Sequence, residues 1–131
     1  MSIKLVHEFN RKFGLPDGEY DLLIDDRTVQ AYRTKFLSEE LLELLAALDD
    51  NDRVKAFDAL LDLVYVAQGT ALFMGVTPEM WDEGMDAVHR ANMKKVHSEA
   101  GTHKRGPAEK MIKPEGWVGP EAELQEILEN V

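Results

Sequence analysis

Along the first hundred residues the apolar positions recur at helical spacing. In "SIKLVHEFNRKF", residues 2–13, the positions of Ile3, Leu5, Val6, Phe9 and Phe13 predict a helix with Ser2 as its N-cap. "GLPDGEYD" is a loop on its Gly, Pro and Asp content. Asp25 or Asp26 caps a long second helix running to about Leu48, because Val29, Tyr32, Phe36, Leu37, Leu41, Leu44, Leu45 and Leu48 fall mostly three or four apart. "DDND" is a turn, after which Asn51 or Asp52 caps a third helix to about Met74. That helix is apolar almost all round, which suits the centre of a bundle or an oligomer interface. Gly69 inside it is read as a point of close backbone approach. Gly75 is its expected C-terminal stop, and Thr77-Pro78 opens a fourth helix to about Ala100. Met80, Trp81, Met85, Val88, Met93 and Val96 are expected on the inner side of that fourth helix.

After Gly101 the composition shifts to Gly, Pro, Lys and Glu, in "GTHKRGPAEKMIKPEGWVGPE", and this segment is expected to be an arm that precedes a short helix from about Glu121 to Leu128. No strand-length alternation, internal repeat or low-complexity tract interrupts the pattern. The expected architecture is all-α, an antiparallel four-helix bundle in a single domain over 1–131, with a core over 1–100 and a basic arm and short helix over 101–131.

Acidic side chains complicate the apolar stripes. In "SEELLELLAALDDNDRVKAFDALLDLVYV", residues 38–66, five carboxylates stand among the leucines: Glu39, Glu40, Glu43, Asp58 and Asp62. Glu40 and Glu43 are three apart, Glu39 and Glu43 four, Asp58 and Asp62 four, so each pair shares a helix face. A short turn makes the two helices antiparallel neighbours, and residues equally far from the turn then stand at one height. Glu43 thereby faces Asp58, and Glu40 faces Asp62. Like charges so close repel strongly unless some stay protonated or a cation neutralises them. An all-oxygen set selects hard divalent ions, Mg²⁺ first and Mn²⁺ as its substitute, and Mg²⁺ with open positions usually serves phosphate chemistry. A di-iron bundle would need two carboxylate-x-x-His pairs, and the chain offers one, Asp86 with His89.

Composition narrows the partners. The 131 residues carry 25 acidic and 15 basic side chains, a net charge of −10, with 44% apolar residues and no cysteine. Disulfide and thiolate chemistry are excluded. The net charge disfavours nucleic acid. The N-terminal stretch lacks the apolar centre of a signal peptide and no 18-residue apolar run appears, so a cytoplasmic location without membrane association is expected. Six of the basic residues, Lys94, Lys95, Lys104, Arg105, Lys110 and Lys113, fall within 20 positions, against Glu99 and Glu109. An acidic middle and a basic tail suit a site that holds cations at one end and an anion at the other.

The motifs resemble those of the all-α nucleoside triphosphate pyrophosphohydrolases, the MazG-like superfamily, which includes the phosphoribosyl-ATP pyrophosphohydrolases and the dimeric dUTPases. "SEELLELLAA" matches the Glu-Glu-x-x-Glu motif. "DALLDLVYVAQGTALFMG" resembles the second metal helix, and "VHRANMKK" with "KPEGW" resembles a phosphoribosyl-ATP-pyrophosphohydrolase-like subgroup. The likeness runs from "HEFNRKFGLP" to "KPEGWVGP". It implies Mg²⁺-dependent water attack on a (deoxy)nucleoside triphosphate between the α and β phosphates, giving monophosphate and pyrophosphate, in a homodimer or a dimer of dimers. It implies that Glu40, Glu43 and Asp62 are metal ligands, and that Glu39 holds a further ion or orients the attacking water. Asp58 would stand in for the Glu that many members carry at the position of Ala59.

Asn92 and Lys95, three apart on one face, are assigned to sugar or base and to phosphate respectively. Lys104 and Lys110 are assigned to phosphate charge, and Tyr65, one turn beyond Asp62, to stacking on a base. Arg33 is expected to pair with the glutamates, and Trp117 to pin the arm to the bundle. House-cleaning of the nucleotide pool is the favoured role. A phosphoribosyl-ATP pyrophosphohydrolase and a non-catalytic nucleotide-binding or regulatory bundle are the alternatives.

Overall fold

A computed structural model describes residues 2–97 and 111–129. Among the described residues five helices dominate: α1 Lys4–Lys12, α2 Arg27–Asp49, α3 Arg53–Phe73, α4 Pro78–Met93 and α5 Glu121–Glu129; a two-residue pair, β1 Val96–His97 and β2 Met111–Ile112, lies between α4 and α5 in sequence. The all-α class expected from the periodicity is what the chain adopts. Two compact units divide it, Met1–Trp81 and Asp82–Val131.

In the first unit α2 and α3 form an antiparallel hairpin, and α1 packs on α3. Asp26 starts α2 by accepting the N–H groups of Thr28 and Val29 at 2.9 and 3.1 Å. The hairpin turn is built from two polar residues. Asn51 takes the left-handed conformation (φ +54°) that Asn tolerates at a helix end. Asp52 caps α3 by accepting Lys55 N–H at 3.0 Å, while its own N–H bonds Ala47 O at 2.9 Å. Both helix ends are satisfied within a few residues, so the turn cannot slide, and register follows. Ala47, Ala56 and Ala59 are buried near it. Their small size lets the helices approach closely. The main apolar cluster lies at the other end, where Ile3 and Val6 meet Ala71 and Leu72, with Val76 and Trp81 packed against them. Ser2 Oγ accepts Lys4 N–H at 3.2 Å, but the N-cap position of α1 falls on Ile3, one residue later than expected, with no side-chain cap bond. Gly75, at φ +80°, ends α3 as its position predicted.

The all-round apolar pattern of α3 does not bury evenly. Its C-terminal half is in the core, but Val54, Phe57, Leu60 and Leu61 are exposed, as are Leu41, Leu42, Leu45 and Leu48 on α2. By length and composition α3 is apolar enough to cross a membrane. The C-terminal half of α3 packs on α1 and α2 as the central helix of a bundle does, while the exposed residues of its first half do not.

In the second unit α4 ends at Met93, seven residues before the expected Ala100. The N–H groups of Lys94 and Lys95 turn back to the carbonyls of Ala91 and Asn92. The chain then extends, Val96 pairing with Ile112 and His97 with Met111 in antiparallel register. Two-residue strands carry no alternation, so periodicity could not reveal them. Met85, Met93 and Val96, expected inside, are exposed; the small residues Ala87 and Ala91 are the buried ones. Trp117 Nε1–H donates to Ala91 O at 2.8 Å and ties the Gly-Trp segment to α4. Arg90 grips the Glu123 carboxylate with both terminal nitrogens, which fastens α5 to the same helix.

Candidate metal and phosphate site

The hairpin brings Glu40 and Glu43 of α2 to Asp62 of α3. One carboxylate oxygen from each lies within 4.8 Å of the others. Their convergence follows from the turn: Asn51 and Asp52 fix how α3 runs back along α2, and helical spacing does the rest.

The three acids are unequal. Glu40 is partly buried, and its Oε2 is covered with no hydrogen-bond partner among the described residues. Burial pushes its proton affinity above the usual carboxylate range, and the charges of Glu43, Asp62 and Asp58 push the same way. Asp62 is raised as well, by burial first and then by Asp58 and Glu43. Two unit charges about 5 Å apart repel by under 1 kcal/mol in bulk water but by roughly 3 kcal/mol at an effective dielectric near 20. Glu40, the desolvated member, is therefore where relief by a proton or a cation matters most.

The donor set fits a hard divalent ion. It consists only of carboxylate oxygens, and the covered Oε2 of Glu40 lacks the partner that a buried anion requires. On one octahedral Mg²⁺ adjacent oxygens stand about 3 Å apart and opposite ones about 4.2 Å, so the three side chains must close in from the observed spread to share an ion. Glu40, Glu43 and Asp62 are the residues that would hold the ion.

The other sequence-derived candidates fall elsewhere. Asp58 is exposed and stays outside the three-oxygen set, yet near enough to raise both Glu40 and Asp62. Glu39 is exposed and lines a shallow hollow with Tyr32, Lys35 and Phe36. Tyr65 is half-exposed and meets the edge of Phe9, ring centroids 5.8 Å apart, with Phe13 4.8 Å beyond Phe9. That aromatic group was not anticipated, although Phe9 and Phe13 are spaced as neighbours on one helix face. Asn92 and Lys95 belong to the second unit. Asn92 is exposed at the end of α4. The ammonium groups of Lys95 and Lys113 lie 5.3 and 5.0 Å from the Trp117 ring centroid, within cation–π range. Lys104 and Lys110 lie outside the described residues.

Two expectations are corrected. Arg33 does not reach for the glutamates: its buried guanidinium donates to Val66 O at 2.9 Å and to Thr70 Oγ1 at 3.1 Å. Gly69 admits this side chain rather than another backbone, since a Cβ there would stand 3.0 Å from Arg33 Nη2. Sequence spacing located Arg33 on the glutamate side of α2 but could not show that α3 supplies nearer oxygens.

The family model for phosphoribosyl-ATP pyrophosphohydrolase matches residues 6–92, about two thirds of the chain, and spans the whole hairpin. No curated protein matches the chain significantly. With a family match of that extent over an all-helical fold and a converging acidic triad, the chain belongs to the phosphoribosyl-ATP pyrophosphohydrolase family, within the MazG-like all-α nucleoside triphosphate pyrophosphohydrolase superfamily.

Proposed function

We propose that the protein hydrolyses a (deoxy)nucleoside triphosphate between the α and β phosphates, releasing monophosphate and pyrophosphate, with Mg²⁺ as its metal and Mn²⁺ as a substitute. The observation that carries this reading is the meeting of Glu40, Glu43 and Asp62 around an uncompensated, covered Glu40 oxygen, in a chain of a pyrophosphohydrolase family. The ion, when bound, offsets phosphate charge and makes water a better nucleophile. Glu40, Glu43 and Asp62 hold it, with Asp58 adding negative charge from the next turn. Glu39, outside the triad, is the carboxylate left to orient the attacking water and accept its proton. Lys95 and Asn92, with Lys104 and Lys110, are assigned to phosphate and nucleoside, and Tyr65 to the base.

A second reading, cleavage of phosphoribosyl-ATP at the corresponding bond, is favoured by the family that matches. One assay separates them: purified protein with Mg²⁺, a panel of nucleoside and deoxynucleoside triphosphates and phosphoribosyl-ATP, with all products resolved. Pyrophosphate with the matching monophosphate supports the proposal, and the preferred substrate names the role. Orthophosphate alone, or no turnover of any member, overturns both readings.

The exposed apolar face at the hairpin's turn end suits a second copy of the chain. Leu42, Leu45, Phe57 and Leu61 are each more than half exposed, and Val54, Phe57 and Leu60 line a shallow apolar hollow of about 520 Å³. Patches of this kind mark association surfaces. A homodimer, or a dimer of dimers, is accordingly part of the proposal, as is a cytoplasmic location. Nucleic acid is not a proposed partner, given the net charge of −10.

A further inference from the structure

Arg33 is a buried cation that lies among the rings of Tyr32, Phe36 and Phe73 and donates to two oxygens of the neighbouring helix. Its Nη2 donates to the main-chain carbonyl of Val66 at 2.9 Å, and its Nε donates to Thr70 Oγ1 at 3.1 Å. The Thr70 hydroxyl donates in turn to the same Val66 carbonyl at 2.8 Å. Guanidinium, hydroxyl and carbonyl thus form a closed ring that ties a side chain of α2 to the backbone of α3. The Phe73 ring lies 4.5 Å from the guanidinium carbon, and Gly69 leaves the space that Nη2 occupies.

This clamp lies on the seam that carries the acids. Arg33 is two turns before Glu40 on α2, and Val66 is one turn after Asp62 on α3, so both are on the faces that present those carboxylates. The acids are therefore bracketed. On one side the Asn51–Asp52 turn fixes the helices, and on the other Arg33 fixes them. Between these points the carboxylates of Glu40, Glu43 and Asp62 converge across the seam. A side chain that grips the opposite backbone resists both splaying and axial sliding, and a hydrogen bond to a main-chain carbonyl fixes helix position more directly than contact with a mobile side chain.

We propose that Arg33, seated by Gly69 and Thr70, is a positioning residue for the metal site, holding α3 against α2 so that Glu40, Glu43 and Asp62 can close on one ion. The proposal rests on the metal-site reading given above. It is tested on the full chain by Mn²⁺ binding, followed by electron paramagnetic resonance of the free ion, with helical content and thermal midpoint measured on the same samples. Gly69→Ala and Thr70→Val are expected to remain folded and to bind Mn²⁺ more weakly by on the order of tenfold, the scale at which displaced supporting contacts weaken metal sites.

Thr70→Ser, which keeps the hydroxyl, retains the affinity of the unaltered chain. Gly69→Ala is the sharper variant, because alanine favours the helix while its Cβ crowds Nη2. A thermal midpoint held or raised together with weaker Mn²⁺ binding supports positioning. Folded Gly69→Ala and Thr70→Val proteins that bind Mn²⁺ as the unaltered chain does overturn it. If the unaltered chain binds no Mn²⁺, the metal-site reading fails, and the positioning role fails with it.

Discussion

Glu40 and Asp62 face each other from α2 and α3 with carboxylate oxygens within 4.8 Å, and both hold their protons above the usual carboxylate range. Neither helix alone would bring these two acids together. The relationship belongs to the turn between them, and it makes the metal-free protein a strained anion cluster whose relief can be measured.

The first prediction concerns pH. Glu40 and Asp62 bind protons more tightly in the folded chain than in the unfolded one, by burial first and neighbouring carboxylates second. Their protonation therefore supports the fold fully below the ordinary values of 4.5 and 3.8 and ceases to do so as pH rises through the raised ones. In chelator, the thermal midpoint of the unaltered chain relative to Glu40→Gln falls as pH rises through the window just above those ordinary values. Saturating Mg²⁺ removes the fall. A difference between the two proteins that stays flat across the window contradicts the cluster.

A second prediction ranks the acids. Asp62 belongs to the converging set and Asp58 does not, so Asp62→Asn is expected to weaken Mg²⁺ or Mn²⁺ binding by on the order of 100-fold, and Asp58→Asn by about tenfold or less. Calorimetric titration of both variants gives the order directly. Equal losses would mean that Asp58 swings in as a full ligand, taking the place of the carboxylate that Ala59 lacks.

The third prediction isolates chemistry from folding. Glu43 is exposed, so Glu43→Gln leaves the core untouched and should preserve the circular dichroism of the parent. Turnover of the preferred nucleotide is expected to fall by at least about 100-fold, because a ligand has become a neutral amide. Retained turnover would remove Glu43 from the site.

How much of this was legible beforehand depends on the kind of signal. The helices and the facing of Glu40 and Asp62 could be read because apolar spacing, the caps Asp26 and Asp52 and a four-residue turn are local features, and the register follows from them. The early end of α4 and the β1–β2 pair could not be read. Lys94 and Lys95 are good helix formers, but the two residues after them, Val96 and His97, pair with Ile112 and Met111, far along the chain. Arg33 was misassigned for a related reason. An arginine six residues before a glutamate suggests an ion pair, whereas the oxygens it meets are a main-chain carbonyl and a hydroxyl on another helix, which residue type does not announce. The small cores at Ala47, Ala59, Ala87 and Ala91 were likewise hidden, since spacing arguments weight leucine and methionine over alanine.

The last prediction addresses the leucine face. Within a single chain the turn end of the hairpin buries mainly alanines, while Leu42, Leu45, Val54, Phe57 and Leu61 remain largely open to water. Burying a side chain of that size contributes about 1.5–3 kcal/mol, so a contact between copies that covered several of them would offset the cost of association. Phe57 is the most informative position: it is exposed, its ring lines the apolar hollow, and it is absent from the converging carboxylate set. Phe57→Glu places a charge at the centre of that face and is expected to convert a sedimenting dimer or tetramer into monomer while leaving the helical spectrum intact. An unaltered chain that sediments as a monomer at micromolar concentration, or a Phe57→Glu variant that assembles as the parent does, would show that copies of the chain do not meet through this face.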